Sequence, residues 1–202
     1  MRISIATEDV LTEEIITKII LSNGRFEIIH KLGKRGNGYL ISKLNNFNEL
    51  SRGLIVVVVF DLDLKPCPVR FKEELERTVA NKSDNLKLVI SVREVESWIL
   101  ADREGFGSYF KISKDKIDRT PDALLDPKDK IINLARYSKD SAVKRGIPPV
   151  AGAASKVGLS YNRLLTDFIQ QEWDINRAIQ ISPSLATAMA TINELLEEHK
   201  DD

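Results

Sequence analysis

Residues 53–64 read GLIVVVVFDLDL, and this stretch organises the rest of the chain. Six consecutive large apolar residues, from Leu54 to Val59, show no polar alternation. Such a run indicates a strand that is covered on both faces, as in the middle of a parallel sheet. A helix is disfavoured because β-branched side chains lose rotamer freedom in helices, and because Pro66 and Pro68 follow soon after the run.

Two aspartates, Asp61 and Asp63, stand at the carboxyl end of this predicted strand. Ligands of open α/β sheets gather at such ends. If the extended conformation persists through Asp63, the two-residue period of a strand points both carboxylates the same way. Two like charges at that spacing need a cation, a shared proton or open water. A divalent metal ion is the simplest of these answers when a third carboxylate joins them.

Composition narrows the chemistry that the chain can perform. The 202 residues suffice for one main domain, and 30 basic and 30 acidic residues cancel, so net charge favours neither nucleic acid nor an anionic membrane. The N-terminus lacks signal-peptide organisation and no apolar run reaches membrane-span length, which predicts a cytoplasmic protein. Cys67 is the single cysteine, and His30 and His199 are the two histidines. Disulfides, zinc sites and a Ser/His/Asp triad are therefore not expected, and carboxylates remain.

Strands and helices alternate in the first half of the chain. The predicted strands are residues 2–7, 25–30, the stretch quoted above and 86–92, and the predicted helices between them are 11–21, 39–50 and 69–79. The first helix has Thr12 as its expected cap. This alternation predicts an α/β fold with a mostly parallel sheet of at least four strands flanked by helices.

The second half of the chain has a helical pattern. No comparable β-branched run follows Asp102, and helices are predicted for residues 122–138, 162–173 and 182–199. The last of these has Ser182 as its cap and Pro183 at its first position. We therefore predict an α/β core at residues 1–110 and a helical extension at residues 111–202 that packs on the core.

Basic residues accompany glycines in two segments. In residues 31–40, KLGKRGNGYL, three glycines are interleaved with cations that include Lys34 and Arg35. This segment either lets backbone and cations approach phosphates or is a basic flexible turn, and it matches neither a P-loop nor a dinucleotide fingerprint. Residues 144–162 form a second predicted loop, rich in small residues, which carries Lys156.

An acid after the first strand, Glu8, and an apolar strand that ends in D-x-D at Asp61 and Asp63 resemble the acidic motifs of the Toprim fold of topoisomerases, primases and small nucleases. Three further segments strengthen the resemblance. They are REVESWILAD (93–102), AGAASKVGLSYNRLL (151–165) and WDINRAIQISPSL (173–185). Together these segments look like a prokaryotic family of standalone Toprim-like proteins, often found beside ATPases of the overcoming-lysogenisation-defect (OLD) type, and the similarity spans most of the chain.

This resemblance implies a Toprim core, a Mg²⁺ or Mn²⁺ site at Glu8, Asp61 and Asp63, and a nuclease that acts on nucleic acid in phage defence, with an OLD-type ATPase as partner. Bound metal at such carboxylates activates water and neutralises charge on a phosphodiester. Many Toprim sequences place glycine directly after the first acid, whereas this chain has Asp9. Asp9 is therefore a secondary candidate ligand.

Cations from the two glycine-containing segments, Lys34, Arg35 and Lys156, are the candidates for binding the phosphates that flank such a site. Glu96 and Asp102 are further secondary candidates. They are six positions apart on a predicted helix and not on one face, so a joint role is not expected. Glu96 is preferred because it is nearer the end of the strand that finishes at Val92. Trp98 and Trp173 are predicted core residues, with base stacking as the alternative.

Other functional classes remain open at this point. The FDLDL motif is also typical of haloacid dehalogenase-like phosphatases, in which Asp61 would be the nucleophile and Asp63 the general acid. A response-regulator receiver is suggested by Glu8, Asp9 and Asp61, but it requires a later lysine that the sequence lacks at the expected place. A non-catalytic Toprim-like module that regulates a partner is the third class.

Overall fold

The fold is given by a computed structural model, which describes residues 1–198. Four parallel strands form one sheet in the order β2-β1-β3-β4. The strands are β1 (Arg2–Thr7), β2 (Glu27–Gly33), β3 (Ile55–Asp61) and β4 (Leu86–Ser91). The predicted α/β class, the parallel sheet and the helical second half are confirmed.

Ten helices accompany the strands within the described residues. They are α1 (Val10–Ser22), α2 (Asn37–Leu50), α3 (Pro68–Arg77), α4 (Val95–Ala101), α5 (Arg103–Tyr109), α6 (Pro127–Ala135), α7 (Ser141–Gly146), α8 (Tyr161–Gln171), α9 (Ile175–Ile179) and α10 (Pro183–Glu198). Short 3₁₀ turns occupy Lys114–Lys116 and Pro121–Ala123. Over residues 1–198, none of these helices has both the length and the apolar character that a membrane crossing requires.

Internal contacts divide the chain into two compact units. Within the described residues, the first contains Met1–Val92 and residues 186–198, and the second contains Arg93–Leu185. This division falls after residue 92, whereas the sequence predicts a boundary after residue 110. Helices α4 and α5 consequently belong to the second unit.

Strand β3 lies between β1 and β4, and every one of its residues is buried. Its even-numbered residues, Val56, Val58 and Phe60, share one cluster with apolar side chains of α2 and α3, and Phe71 of α3 meets Phe60 edge to face at 6.0 Å. Each fully buried valine of this kind contributes about 1.5 kcal/mol or more of hydrophobic free energy. The uninterrupted apolar run is therefore the consequence of covering both faces of the strand.

Two local predictions in the first unit are wrong. Thr12 does not cap α1; Asp9 is the cap, and its carboxylate accepts hydrogen bonds from the backbone N and Oγ1 of Thr12, both at 2.9 Å. The second strand begins at Glu27 and continues to Gly33, three residues beyond the predicted end at His30. The ladder with β1 continues to the pair Thr7 and Gly33, so part of the predicted glycine-containing loop is strand.

The second unit is built around two buried tryptophans, as the sequence predicts. The Trp173 Nε1 donates to the Trp98 carbonyl at 3.0 Å, and the Trp98 Nε1 donates to Ser184 Oγ at 2.7 Å. The predicted cap of the last helix is also confirmed, since the Leu185 amide donates to Ser182 Oγ at 3.1 Å. The predicted end of that helix, His199, lies outside the described residues.

Candidate functional site

Strands β1 and β3 are parallel neighbours, so their carboxyl ends meet at one edge of the sheet. Glu8 follows β1 directly, and its Oε1 accepts a hydrogen bond of 2.9 Å from the backbone N of Asp61. This hydrogen bond brings together two acidic residues that are far apart in sequence. The predicted convergence of Glu8 with the end of the central strand is therefore present in the fold.

Asp61 is the last residue of β3, and only 6% of it is exposed. Its Oδ1 accepts a hydrogen bond from Ser91 Oγ, and Ser91 is its register partner at the end of β4. The amide of Leu62 donates to the Ser91 carbonyl at 3.0 Å, which holds the chain beside β4 for one more residue. Ser91 thus orients the Asp61 carboxylate. Sequence reasoning missed it, although a polar residue that ends an apolar strand is a usable signal.

Asp63 does not continue the strand. Its φ is 50°, in the left-handed region, and it lies in a turn in which the Lys65 amide donates to the Leu62 carbonyl at 3.1 Å. The expectation that extended backbone persists through Asp63 is therefore wrong, and the two aspartates do not share one strand face. Asp63 is exposed, whereas Asp61 is buried.

Asp9, the secondary candidate beside Glu8, is committed to the start of α1. The two hydrogen bonds that it accepts from Thr12 satisfy an amide of the first turn, which is the usual function of an N-cap aspartate. The aspartate in place of the common glycine thus has a structural explanation. Glu8 is the acid of this pair that contacts β3.

The segment after β2 wraps around the end of β1. The Lys34 amide donates to the Thr7 carbonyl at 2.8 Å, and the Gly36 amide donates to the Glu8 carbonyl at 3.0 Å. At Gly33, φ is 97° and an added Cβ would lie 2.2 Å from the Thr7 carbonyl oxygen. Glycine is therefore required for this close approach, and the segment is held against the acidic edge by backbone hydrogen bonds.

The predicted phosphate-binding cations of the first unit have partners of their own. Lys34 Nζ lies 3.1 Å from Glu13 Oε2, and Lys31 Nζ lies 4.0 Å from the other oxygen of this buried carboxylate. The guanidinium of Arg35 lies over the Tyr39 ring at 5.3 Å. Glu13 is a buried acid on α1 that neutralises the charge of Lys34, and the sequence analysis did not identify it.

A second carboxylate cluster lies within the second unit, in the REVESWILAD segment. Glu96 is fully buried, and its Oε1 accepts a hydrogen bond of 3.0 Å from the Tyr161 hydroxyl. Lys128 Nζ lies 3.5 Å from Glu96 Oε1 and 3.7 Å from Glu94 Oε1. Neither Tyr161 nor Lys128 was identified from the sequence, because both are distant from Glu96 along the chain.

Asp102 is also fully buried in the second unit, and its contacts are structural. Arg177 binds it with two nitrogens, at 2.6 and 2.8 Å, and the amides of Gly105 and Asp174 donate to it at 3.0 and 2.9 Å. Burial by itself raises the pKa of Asp102, but the hydrogen bonds from Arg177 and the two amides outweigh it, so the pKa lies below its ordinary value. These contacts connect α5 to α9. Because they account for both carboxylate oxygens, Asp102 is not part of the candidate site.

Lys156 belongs to the second unit and is exposed in the segment between α7 and α8. That segment is closed by hydrogen bonds from the Gly158 amide to the Ile147 carbonyl at 2.8 Å and from the Ser160 amide to the Gly146 carbonyl at 3.0 Å. A role for Lys156 in binding phosphate stays a prediction.

Within residues 1–198, no set of three or more His, Cys, Asp and Glu side chains is arranged to hold an ion. The donor chemistry at the acidic edge nevertheless fits Mg²⁺ or Mn²⁺. Glu8 and Asp61 present carboxylate oxygens, which are the hard ligands that these cations prefer. Asp63 lies in the adjoining turn, and the structure does not bring its carboxylate into one set with these two.

Comparisons of the chain with known protein families, with curated proteins and with solved structures found no match. Function is therefore inferred from the residues and the geometry described above.

Proposed function

We propose that this protein is a Mg²⁺- or Mn²⁺-dependent nuclease of Toprim type, with Glu8 and Asp61 as metal ligands and Asp63 as the candidate for a third. One observation carries the proposal: the hydrogen bond from the Asp61 amide to Glu8 Oε1, which holds two acids together at the carboxyl edge of a parallel sheet. Ligands of such sheets bind at this edge. Stability alone gives little reason to place an aspartate with 6% exposure beside a second acid.

The chemistry of the donor set supports a hard divalent cation. A bound ion of this kind would offset the repulsion between the carboxylates, activate a water molecule and neutralise charge that develops on a phosphodiester. Ser91 orients Asp61 through its hydroxyl, and the Gly36 amide fixes the backbone of Glu8. These two contacts preorganise the acids, which reduces the reorganisation needed when the substrate binds.

Phosphate binding is assigned in this proposal to Lys34 and Arg35, because their segment is hydrogen-bonded to the carboxyl end of β1 and to the backbone of Glu8. The ion pair of Lys34 with Glu13 lowers the net charge at that position, so we expect Arg35 to contribute more. Lys156 is retained as a further candidate on the basis of the sequence alone.

The proposal is tested with purified protein, Mn²⁺ or Mg²⁺, and single- and double-stranded DNA and RNA. We expect cleavage that EDTA abolishes and that Asp61→Asn and Glu8→Gln each reduce by more than about 100-fold, since loss of even an outer-shell partner costs 10- to 100-fold. Asp9→Ser is the matched control. Serine also caps helices, so this variant should keep full activity and stability.

The outcomes separate the rival functions. Undiminished cleavage by Asp61→Asn would refute this assignment of the site. Hydrolysis of phosphomonoesters with a phosphoryl group trapped on Asp61 would instead identify a phosphatase of the haloacid dehalogenase type. Metal binding without hydrolysis of any polymer would favour a non-catalytic regulatory module.

The biological setting is also part of the proposal. By resemblance, the nuclease acts in phage defence beside an OLD-type ATPase, and it would meet phage nucleic acid in the cytoplasm. Co-expression with such an ATPase tests the partnership, because a true partner should co-purify with the chain and alter the rate of cleavage.

A further inference from the structure

A cleft of about 570 Å³ opens at the amino-terminal edge of the sheet, the edge opposite Glu8 and Asp61. Three arginines line it: Arg2, Arg25 and Arg52. Arg2 begins β1, and Asn85, which also lines the cleft, directly precedes β4. Because the strands are parallel, their starts share one edge, and a six-residue strand separates this edge from the acids by about 20 Å.

The described residues that line the cleft include positively charged side chains and no negatively charged ones. Glu27, the register partner of Arg2, is not among them. Within residues 1–198, the Arg2 side chain makes no ion pair. Arg25 is tied to the start of β1, since its carbonyl accepts a hydrogen bond from the Met1 nitrogen at 2.8 Å.

Arg52 pairs with a carboxylate outside the lining of the cleft. Its Nε and a terminal nitrogen lie 2.9 and 3.2 Å from the two oxygens of Glu49. The side chains of both residues are more than half exposed, so this pair is screened by water and readily exchanges partners. Arg52 thus binds both oxygens of one carboxylate in a two-pronged arrangement.

We propose that this cleft binds a phosphate-bearing anion of nucleotide size. Planar guanidinium groups bind phosphate with two parallel hydrogen bonds, and the volume lies within the usual range for small-molecule sites. Leu54 adds apolar surface to the lining, as a nucleotide base requires, and Asn85 adds an amide. At Gly53 an added Cβ would meet nothing within 4 Å, so the ligand can approach the backbone there. This site is separate from the acidic edge and does not depend on the proposed nuclease activity.

The phosphate can come from a free nucleotide or from the 5′ end of a nucleic acid. Isothermal titration of the full chain with pyrophosphate, ATP and a 5′-phosphorylated oligonucleotide distinguishes these sources. Titrations are done in EDTA, so that binding at the acidic edge through metal does not contribute. Tighter binding of ATP than of the oligonucleotide assigns the free nucleotide, and the reverse order assigns the nucleic acid end.

Arg2→Gln and Arg25→Gln should each weaken pyrophosphate binding by about tenfold or more, since each removes a charge-assisted hydrogen bond. Arg70→Gln is the matched control, because Arg70 is exposed on α3 outside the cleft and its replacement changes net charge equally. Glu49→Gln should tighten binding by releasing Arg52, a gain that a damaged fold cannot produce.

Failure of the wild type to bind any of the three probes would overturn the proposal. Equal weakening by Arg70→Gln and Arg2→Gln would also overturn it, because it would show a general charge effect. The binding titrations are independent of the cleavage assay. Variants of Glu8 and Asp61 that lose nuclease activity should still bind the three probes, and Arg2→Gln should retain any metal-dependent cleavage.

Discussion

The buried pair of Asp102 and Arg177 allows a quantitative test of the second unit. The Asp102 side chain is completely buried, and Arg177 binds both of its oxygens while remaining 42% exposed itself. Replacing Arg177 by methionine keeps much of the apolar stem and removes the guanidinium. The carboxylate then retains only the amides of Gly105 and Asp174.

Breaking a buried pair by removing one partner costs about 3–5 kcal/mol, because a charge is left uncompensated. We expect the lower end, about 3 kcal/mol, since the exposed side of Arg177 lets water replace part of the lost interaction. For a chain of this size, such a loss lowers the melting temperature by about 6–12 °C.

The dependence on pH follows from the lowered pKa of Asp102. A carboxyl group with a lowered pKa in the folded protein contributes stability above the ordinary value of about 3.9, and this contribution is lost as the pH falls through the folded value. The difference between wild type and Arg177→Met should therefore be largest near pH 7 and shrink as the pH falls, because burial without Arg177 favours the protonated carboxyl in the variant and the wild type loses its own contribution below about pH 4.

Thermal and urea unfolding followed by circular dichroism measure these differences. Arg163→Met is the control, because Arg163 forms an exposed i,i+4 pair with Asp167 at 3.2 Å and should contribute less than about 1 kcal/mol. The double variant with Asp102→Asn should recover part of the loss, since no charge remains buried. If Arg177→Met loses no more stability than the control, the reasoning about this pair is wrong.

Three local changes test the rest of the account. Gly33→Ala should destabilise the first unit by about 3 kcal/mol in urea unfolding, since it combines a left-handed φ with a clash against the Thr7 carbonyl; a loss below about 1 kcal/mol would contradict this geometry. Asp9→Ala should cost about 1 kcal/mol through loss of the cap, and unchanged unfolding would remove that role. Tyr161→Phe should cost about 1–2 kcal/mol by removing the hydroxyl bond to buried Glu96, and a neutral effect would show that this bond adds nothing.

Much of the fold follows from patterns that are local in sequence. The apolar run of β3 identifies a doubly covered strand because few other environments tolerate it, and Ser182 with Pro183 marks the start of α10 through capping chemistry alone. The cap of α1 was assigned wrongly because Asp9 and Thr12 are both good cap residues. Which of the two residues caps the helix depends on where β1 ends, and the residue types alone do not determine that position.

Short helices were missed for a physical reason. Helices α5, α7 and α9 contain five to seven residues, too few to be stable alone, so their formation depends on tertiary contacts. The bond from Asp174 to Asp102 is one such contact, between segments that are far apart in sequence.

Some features of the candidate site also follow from the sequence, and others depend on the three-dimensional structure. The meeting of Glu8 and Asp61 follows from parallel strand ends, a rule that operates on sequence order alone. The orientation of Asp63 does not, because it depends on a left-handed turn at a non-glycine residue. Ser91 acts through pairing between strands, which becomes visible only when the register is known.

The central claim is that Glu8 and Asp61 share a divalent cation at the carboxyl edge of the sheet. Anomalous diffraction from crystals soaked in Mn²⁺ tests it most directly. The account predicts a manganese peak within about 2.0–2.4 Å of carboxylate oxygens of both residues, and loss of that peak in Asp61→Asn. A peak bound elsewhere with none at this edge, or a peak that persists unchanged in the variant, would contradict the claim.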